Sequence, residues 1–285
     1  MRTLILSDLH LGHPGTRVTV EQVAPLLDGL DRVVLAGDTV EDRSHWQSKA
    51  AADEAVAGLR DLAFKKGVEL VFLTGNHDPE ISGEHEVLLE AGRVWVLHGD
   101  IFFPGATPWS AQGNEMRAMM KQLWEIKENA QGSLSLEDVC QLTREVVLAH
   151  PIEPRNEPAD LAAWFGHVVH ALWPPNRALW VLRSWWSAPG FAAEFAKLYR
   201  TAADVIIFGH THLSGCWTMD NRLVINLGAF VSPGPRPRAV LVEKGRVTVW
   251  GLEKQQGGYV RNRCLREFTL RSPQIQPRQE DEVAA

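Results

Sequence analysis

Five short apolar runs, each ending abruptly in side chains that can bind metals, constrain the fold of this chain more than any other feature. The clearest run, at 205–208, is rich in β-branched and aromatic residues and predicts a buried strand. Gly209, His210, Thr211 and His212 follow it directly. Because alternate residues of an extended segment point the same way, the two histidines can converge on one point, as metal ligands do. One His-x-His is a weak signal alone, so its weight depends on the other four runs.

Those four runs lie upstream and follow the same pattern. The runs at 3–7, 32–36, 69–74 and 93–97 lead into the polar segments 8–10, 37–41, 75–78 and 98–100. Helix-like stretches at 20–30 and 45–66 separate the first three runs, which predicts βαβ units with right-handed crossovers. The carboxyl ends of parallel strands line one ligand crevice, so we expect the five polar segments to meet. The glycines beside them let the backbone turn sharply.

The rest of the chain has a different rhythm. Residues 83–91 are predicted as a short helix, and the pattern from about 110 to 203 is helical throughout. We interpret the longer stretch as a helical insertion, a lid beside the ligand crevice. After residue 204 strand patterns return with hairpin-turn signals between them, which favours antiparallel pairing. Two packed sheets with helices outside would accommodate both parts.

Composition excludes several classes of protein. A formal net charge of -6 over 285 residues does not favour nonspecific nucleic-acid binding, and we expect no nucleic-acid partner. Three widely spaced cysteines and a start that resembles a strand rather than a leader peptide predict a cytoplasmic location. No apolar run is long enough to span a bilayer. We predict a single α/β domain over 1–271 and a flexible polar tail over 272–285.

Seven oxygen and nitrogen donors follow the five apolar runs. They are Asp8, His10, Asp38, Asn76, His98, His210 and His212. One cation rarely takes so many side chains of this kind, whereas two cations that share a bridging carboxylate would. Two divalent cations roughly 3.5–4 Å apart can hold a bridging hydroxide and grip phosphoryl oxygens, which is what phosphoester hydrolysis requires. Mixed oxygen and imidazole donors suit manganese, iron or zinc, and we favour manganese.

In this order the motifs resemble those of the calcineurin-like metallophosphoesterase superfamily, over residues 1 to about 109 and 204 to about 250. The resemblance implies an α/β fold, a four-layer α/β/β/α sandwich of two mixed sheets. It also implies two metal sites that share Asp38. Asp8, His10 and His212 would complete the first site, and Asn76, His98 and His210 the second.

The resemblance also implies two catalytic residues. The family histidine that matches His77 contacts phosphate and helps to protonate the leaving oxygen. Asp78 would orient His77 by accepting an imidazole hydrogen bond, although it could instead cap the turn at Pro79. Glu41, which completes a Gly-Asp-x-x-Glu pattern, is expected to support the ligands rather than bind a cation.

The helical insertion is the region expected to set substrate specificity. Seven of the 11 tryptophans lie between His98 and His210, with Arg177 and Arg183 among them. The two arginines, together with His13 beside the first motif, are the predicted contacts to substrate. The tryptophans could form an apolar wall for an acyl chain or nucleobase, but packing between helices is the favoured interpretation for most of them. A Trp-rich stretch also leaves peripheral contact with a membrane surface open.

We predict a metal-dependent phosphoric ester hydrolase that acts on a small phosphomonoester or phosphodiester through a metal-bridging hydroxide. The alternative is a pyrophosphatase for a nucleotide-diphosphate-linked lipid or sugar. The segments 7–11 and 98–100 are similar to those of the UDP-2,3-diacylglucosamine pyrophosphatase branch, which has Arg where this chain has His77. A non-catalytic metal-binding scaffold would be expected to lack some ligands, and all seven are present. A nuclease would need a basic track, for which 235–238 is too short.

Overall fold

A computed structural model describes residues 1–44, 47–103, 112–150, 175–232 and 234–270, with the backbone alone for 175–181. These ranges hold eleven strands: β1 Arg2–Leu6, β2 Arg32–Ala36, β3 Glu69–Leu73, β4 Glu86–Leu89, β5 Val94–Leu97, β6 Val205–Phe208, β7 Gly215–Met219, β8 Arg222–Asn226, β9 Arg238–Glu243, β10 Arg246–Gln255 and β11 Gly258–Thr269. They hold five α-helices: α1 Val20–Val23, α2 Lys49–Lys66, α3 Gly113–Gln131, α4 Leu136–Ala149 and α5 Pro175–Tyr199. The predicted tail, 272–285, lies outside the described residues.

The strands form two mixed sheets. The first has six strands in the order β11-β10-β9-β1-β2-β3, with β1, β2 and β3 parallel and the other pairs antiparallel. The second has five strands in the order β4-β5-β6-β8-β7, with β5, β6 and β8 parallel and an antiparallel strand at each edge. The mixed α/β class predicted from the sequence is confirmed.

The parallel strands bury residues on both faces, which explains why their sequences are continuous apolar runs rather than alternating ones. The edge strand β3 does so only at Phe72 and Leu73. In β1, Leu4 and Leu6 pack towards helices α1 and α2, whereas Ile5 faces the second sheet. In β5, Val94 faces the first sheet and Trp95 faces the helices on the far side. Three apolar cores therefore lie between four layers, in the order helix, sheet, sheet, helix.

The predicted helical insertion connects β5 to β6 through α3, α4 and α5, and its described part supplies the outer helical layer of the second sheet. Val139 and Val146 of α4 pack in one core with Phe208 of β6. Small residues of α5, Ala192 and Ala196, complete the same core. Whether the insertion also acts as a lid stays a prediction.

The tryptophans of the insertion have different surroundings. Trp124 packs against the outer core, as expected for a residue that joins helices, whereas Trp186 is 82% exposed. Trp109, Trp164 and Trp173 lie outside the described residues. In the described part of the chain, no helix is both long and apolar enough to cross a membrane.

One predicted element is wrong. Residues 83–91 were expected to form a helix, but Glu86–Leu89 is strand β4, paired antiparallel with β5. The side chain of Glu86 accepts a hydrogen bond from the indole of Trp95 and pairs with Arg200. These contacts across the sheet and to the end of α5 outweigh a local helical pattern of only nine residues, because a helix that short has little stability of its own.

Candidate metal centre

The seven predicted donors meet at the carboxyl ends of β1, β2, β3, β5 and β6. Asp8, His10, Asp38, His98 and His210 are buried, and Asn76 and His212 are half-buried. The residues come from five loops that are distant in sequence, so the parallel strands of both sheets are what brings them together. The loops beside the strand ends form one rim, as the sequence predicted.

A first group of donors is formed by Asp8, His10, Asp38 and His212, whose ligand atoms lie within 4.8 Å of one another. The Nε2 atoms of His10 and His212 face each other at 3.0 Å. The Oδ1 atom of Asp8 lies 3.3 Å from the His212 Nε2. Two imidazole nitrogens converging beside carboxylate oxygens form the donor arrangement of a cation with mixed oxygen and nitrogen ligands.

A second group is formed by Asp38, His98 and His210, with Asn76 beside it. The His98 Nε2 lies 3.1 Å from the Asn76 Oδ1, 3.2 Å from the His210 Nδ1 and 3.3 Å from the Asp38 Oδ2. The same Asp38 Oδ2 is 3.7 Å from the Nε2 of His10 in the first group. One carboxylate therefore lies between two sets of donors, as a bridging ligand must.

The backbone is unusual at five of these donors. Asp8, His10, Asp38, His210 and His212 have φ between 49° and 64°. This left-handed region is sparsely used by residues other than glycine, although Asp and His are enriched there, and it costs on the order of 1–3 kcal/mol per residue. Main-chain hydrogen bonds hold it, among them the amide of Asp8 to Gly37 at 3.1 Å and that of His10 to Asp38 at 2.9 Å. The directions of the donors are thus fixed by the backbone itself.

Three glycines beside the donors are required by lack of space. A Cβ atom on Gly37 would lie 2.5 Å from the ring of His98, and one on Gly209 would lie 1.9 Å from the Asp8 Oδ2. A Cβ atom on Gly75 would lie 2.3 Å from the Asp38 Oδ1. Of the three, Gly37 alone also has positive φ. A sharp turn of the backbone, which the sequence predicted, therefore explains only Gly37, whereas close packing explains all three glycines.

Hydrogen bonds behind the donors select their tautomers. The Nδ1 of His98 lies 3.0 Å from the main-chain oxygen of Ala36, and the Nδ1 of His10 lies 2.7 Å from the Glu41 Oε1. Since both partners are acceptors, both Nδ1 atoms carry hydrogen, and in the neutral ring each Nε2 lone pair is directed into the donor group. This is the state that a metal-binding histidine needs.

Glu41 connects the donors to His77. Its carboxylate is fully buried, and its second oxygen, Oε2, lies 2.9 Å from the His77 Nδ1. His10, Glu41 and His77 also form a third group with metal-ligand spacing. We assign them to hydrogen bonding, because each Glu41 oxygen already accepts one imidazole N–H at ordinary hydrogen-bond distance. The sequence identified Glu41 through its motif but did not indicate that it is the partner of His77.

The prediction that Asp78 orients His77 is therefore wrong. The Asp78 carboxylate instead accepts main-chain N–H bonds from Gly75, Asp38, Thr39 and Val40, at 2.6 to 3.2 Å. It joins the loop after β3 to the loop after β2, beneath the bridging residue. Proximity in the sequence was misleading here, because adjacent side chains in a loop need not point to the same side. Asp78 therefore holds the two loops together. This role is similar to the alternative of capping a local turn, except that one main-chain partner, Asp38, lies 40 residues away in the sequence.

A family model for calcineurin-like phosphoesterases matches residues 1–214, which is 214 of the 285 residues. The chain belongs to the calcineurin-like phosphoesterase family. The matched region includes every one of the seven donors and the whole helical insertion. It covers β1 to β6 and the loops that carry the donors, and ends just before β7.

The chain is also similar to several solved structures. The YfcE phosphoesterase of E. coli is 14% identical with a TM-score of 0.44, and 95% of this chain and 100% of that chain are covered. A dimetal phosphatase of Danio rerio is 14% identical with a TM-score of 0.43, covering 88% and 95%. Wild-type Vps29 of Entamoeba histolytica in complex with zinc is 14% identical with a TM-score of 0.43, covering 94% and 99%. Similarity at this level says nothing about activity. Among curated proteins, none matches significantly.

Charges inside this candidate metal site perturb one another strongly. Burial alone would raise the pKa of Asp38, but the surrounding imidazoles, His98 first, hold it well below its usual range. Burial would lower the pKa of His98, yet the Asp38 carboxylate raises it well above its usual value. Against the effect of burial, hydrogen bonds to Asp8 and Glu41 raise the pKa of His10 to about 10. Some histidines here hold protons that an incoming cation must displace.

The predicted substrate contacts are only partly placed at this site. His13 lies beside the donors, with its ring centre 6.1 Å from that of His10, and its Nδ1 accepts the amide N–H of Gly15 at 2.9 Å. Arg183 is exposed on α5, and the described contacts include none between it and the donors. Arg177 lies in the part of α5 for which the backbone alone is described. The two arginines therefore stay predictions.

Proposed function

We propose that this protein is a metal-dependent phosphoesterase that hydrolyses a small phosphomonoester or phosphodiester with two divalent cations. The observation that carries the proposal is the place of Asp38, whose Oδ2 lies between the Nε2 atoms of His10 and His98 at 3.7 and 3.3 Å. When bound, the cations supply Lewis-acid polarisation of phosphoryl oxygens and an activated water. The donors contain no thiolate, and their mixed oxygen and imidazole set favours manganese, with iron and zinc as alternatives.

His77 is the proposed proton donor to the leaving oxygen. Its side chain is 25% exposed, so that a substrate can reach it from the open side of the site. Because the Nδ1–H is donated to Glu41, the Nε2–H of the protonated ring can be donated to the substrate. Burial would lower the pKa of His77, but the charge of Asp38 and the hydrogen bond to Glu41 raise it, which keeps the proton available near neutral pH.

His13 is a proposed neutral contact to a phosphoryl oxygen. Burial first, together with repulsion by neighbouring imidazoles, lowers the pKa of His13 to about 4. The ring is therefore uncharged at pH 7, and since Nδ1 accepts from Gly15, its hydrogen lies on Nε2. A neutral Nε2–H can donate a hydrogen bond to substrate without adding charge to the site.

A small-molecule substrate and a cytoplasmic location are part of the same proposal. The three cysteines, Cys140, Cys216 and Cys264, form no disulfide, which supports a reducing compartment. The overall acidic composition supports a small substrate rather than nucleic acid.

A turnover panel with added manganese tests the function. It contains a chromogenic phosphomonoester, a phosphodiester, a cyclic nucleotide and a UDP-sugar lipid. We expect turnover of at least one of the first three, and turnover of the UDP-sugar lipid alone would favour the pyrophosphatase alternative. Binding of two cations with no turnover of any substrate would favour the non-catalytic scaffold.

Asp38→Ala should reduce any activity found in the panel to background, because it removes a ligand from both cations, while circular dichroism stays that of the folded protein. The matched control is Asp42→Ala in the same loop, since the Asp42 carboxylate is bonded to Lys49 at 2.9 Å and contributes to neither donor group. Wild-type rates in Asp38→Ala would overturn the proposed mechanism.

A further inference from the structure

Arg43 connects the metal centre to the helical insertion. Its Nη1 donates a hydrogen bond to the main-chain oxygen of Asn76 at 3.3 Å. Its Nη2 donates to the main-chain oxygen of His150 at 2.8 Å and to that of Val147 in the last turn of α4. One guanidinium thus contacts the loop that carries a metal donor and the end of a helix more than 100 residues away in sequence.

The chemistry of this contact favours arginine. The last carbonyl groups of a helix have no partner within it and carry partial negative charge, so a cation at that end is stabilising. A planar guanidinium offers five N–H donors in fixed directions and can reach acceptors on two elements at once, whereas a lysine ammonium acts as a compact point charge. The side chain is part-buried, and burial lowers the pKa of Arg43. A guanidinium nevertheless stays charged in proteins.

Arg43 completes the support of the Asn76 loop. The flanking amide of Gly75 donates to Asp78 at 3.0 Å, and that of His77 donates to Asp38 at 2.8 Å. The carbonyl of Asn76 lies between these two bonds and accepts from Arg43. The Asn76 carbonyl and the His77 amide belong to the same peptide, so Arg43 and Asp38 together fix the rotation of the peptide that follows Asn76. The Gly75 bond anchors the residue before Asn76.

The insertion supports a second donor of the same group. The ring of Phe103 lies 5.6 Å from that of His210 and 6.0 Å from that of Phe191 on α5. By contrast, the hydrogen bonds, ion pairs and ring contacts of Asp8, His10 and His212 within the described ranges are all to residues outside α3, α4 and α5. The two donor groups therefore differ in what supports them.

We propose that Arg43 is a positioning residue through which helix α4 controls occupancy of the second cation site, the one formed by Asp38, Asn76, His98 and His210. The inference rests on the proposed two-cation centre. Loss of the guanidinium releases the Asn76 carbonyl and lets the loop rotate, so the second cation loses a correctly directed oxygen donor. The described contacts of Asp8, His10 and His212 in the first site do not involve the guanidinium.

Manganese titration of the full-length protein tests this, with calorimetry for stoichiometry and electron paramagnetic resonance for the coupled pair. The unaltered protein should bind two manganese ions. Arg43→Ala should bind one as before and the other about 10- to 100-fold more weakly, the usual effect of removing a group that orients a ligand. The signal of the coupled pair should disappear at cation concentrations that saturate the first site, and millimolar guanidinium should partly restore it.

Arg144→Gln is the matched control, because Arg144 also joins α4 to this loop, through Glu80 at 3.9 Å, but does not contact Asn76. It should leave both affinities within about threefold, as expected for an exposed ion pair. Should Arg43→Ala fail to fold in a thermal melt, Arg43→Lys decides, and it should weaken the second site alone. Equal weakening of both sites, or of neither, in a folded variant would overturn the proposal. Absence of manganese binding by the unaltered protein would overturn the two-cation function itself.

Discussion

At the scale of single residues, one carboxylate controls two imidazoles with different tasks. Glu41 holds the metal donor His10 through one oxygen and the proposed acid His77 through the other, at 2.7 and 2.9 Å. Burial would raise the pKa of Glu41, but hydrogen bonds to both imidazoles hold it well below its usual range, so it is ionised throughout the neutral region. Its negative charge in turn favours protonated His77.

Glu41→Gln should therefore impair catalysis more than metal binding. A glutamine has one acceptor oxygen, so only one of the two Nδ1–H groups keeps a partner, and loss of the charge lowers the pKa of His77. The protonated acid is then lost at lower pH, and the descending alkaline limb of the kcat profile should move to lower pH, with kcat reduced about 10- to 100-fold. An unchanged alkaline limb in a variant that binds two cations would contradict this role.

Sequence predicted the donors better than the contacts behind them. The residue types Asp, Asn and His at strand ends already indicate metal binding, so the sequence alone predicts all seven donors. The partner of His77 depends on which way two loops turn, and residue type does not encode that. Glu41 carried a signal in its Gly-Asp-x-x-Glu spacing, whereas Arg43 carried none.

At the scale of elements, the donor loops are packed too closely to admit a single extra carbon atom at certain positions. A methyl group on Gly75, which follows β3, would press on both the amide and the carboxylate of the bridging residue Asp38. The φ of Gly75 is not in the left-handed region, so the backbone itself would tolerate alanine. A substitution at Gly75 would therefore displace Asp38.

Gly75→Ala should thus weaken binding of both cations, since Asp38 serves both, with turnover at least about tenfold lower. Gly83→Ala is the matched control in the same β3–β4 connection, because nothing lies within 4 Å of a Cβ atom there. Manganese titration and turnover of the two variants provide the comparison. Equal behaviour of Gly75→Ala and Gly83→Ala would show that space at Gly75 does not matter.

Helices with clear ends were predicted well, and the short edge strand was not. Residues 45–66 predicted a helix, and α2 ends at Lys66, where Gly67 follows with φ 67°. The Ser48 side chain fixes its start by accepting a hydrogen bond from the amide of Ala51. Capping residues and glycine mark the ends of a helix within a few residues of sequence, so such ends can be predicted locally. Strand β4 exists because β5 lies beside it, and that pairing involves the whole second sheet. The sequence of residues 83–91 alone therefore does not predict this strand.

At the scale of the whole molecule, cations and protons compete for the same interior. Without a cation, the raised pKa values of His10 and His98 mean that both imidazoles hold protons at pH 7, whereas burial and repulsion by His98 lower the pKa of His210 to about 3 and leave it neutral. A histidine must be deprotonated to bind a metal. Rising pH therefore removes the competitor, and affinity should increase with pH.

Manganese affinity should accordingly tighten between pH 6 and 8, by roughly tenfold per pH unit for each proton displaced. Calorimetry in two buffers of different ionisation enthalpy should show proton release on binding. The carboxylates contribute none, because the pKa values of Asp8 and Asp38 are lowered and both are already ionised. An affinity that does not change over this range, or proton uptake on binding, would contradict the assigned protonation states.

The two-sheet architecture also limits how such a protein can be recombined. Helices α3, α4 and α5 cover the outer face of the second sheet, over Trp95, Ile206 and Phe208. A chimera in which the entire insertion came from another phosphoesterase would have to rebuild that hydrophobic interface, or expose it and aggregate. A graft that begins after α4 and ends before α5 keeps all three helices that form the described part of this interface. The junctions at β5 and β6 are therefore unsuitable for such a graft, and any exchange has to begin and end within the insertion.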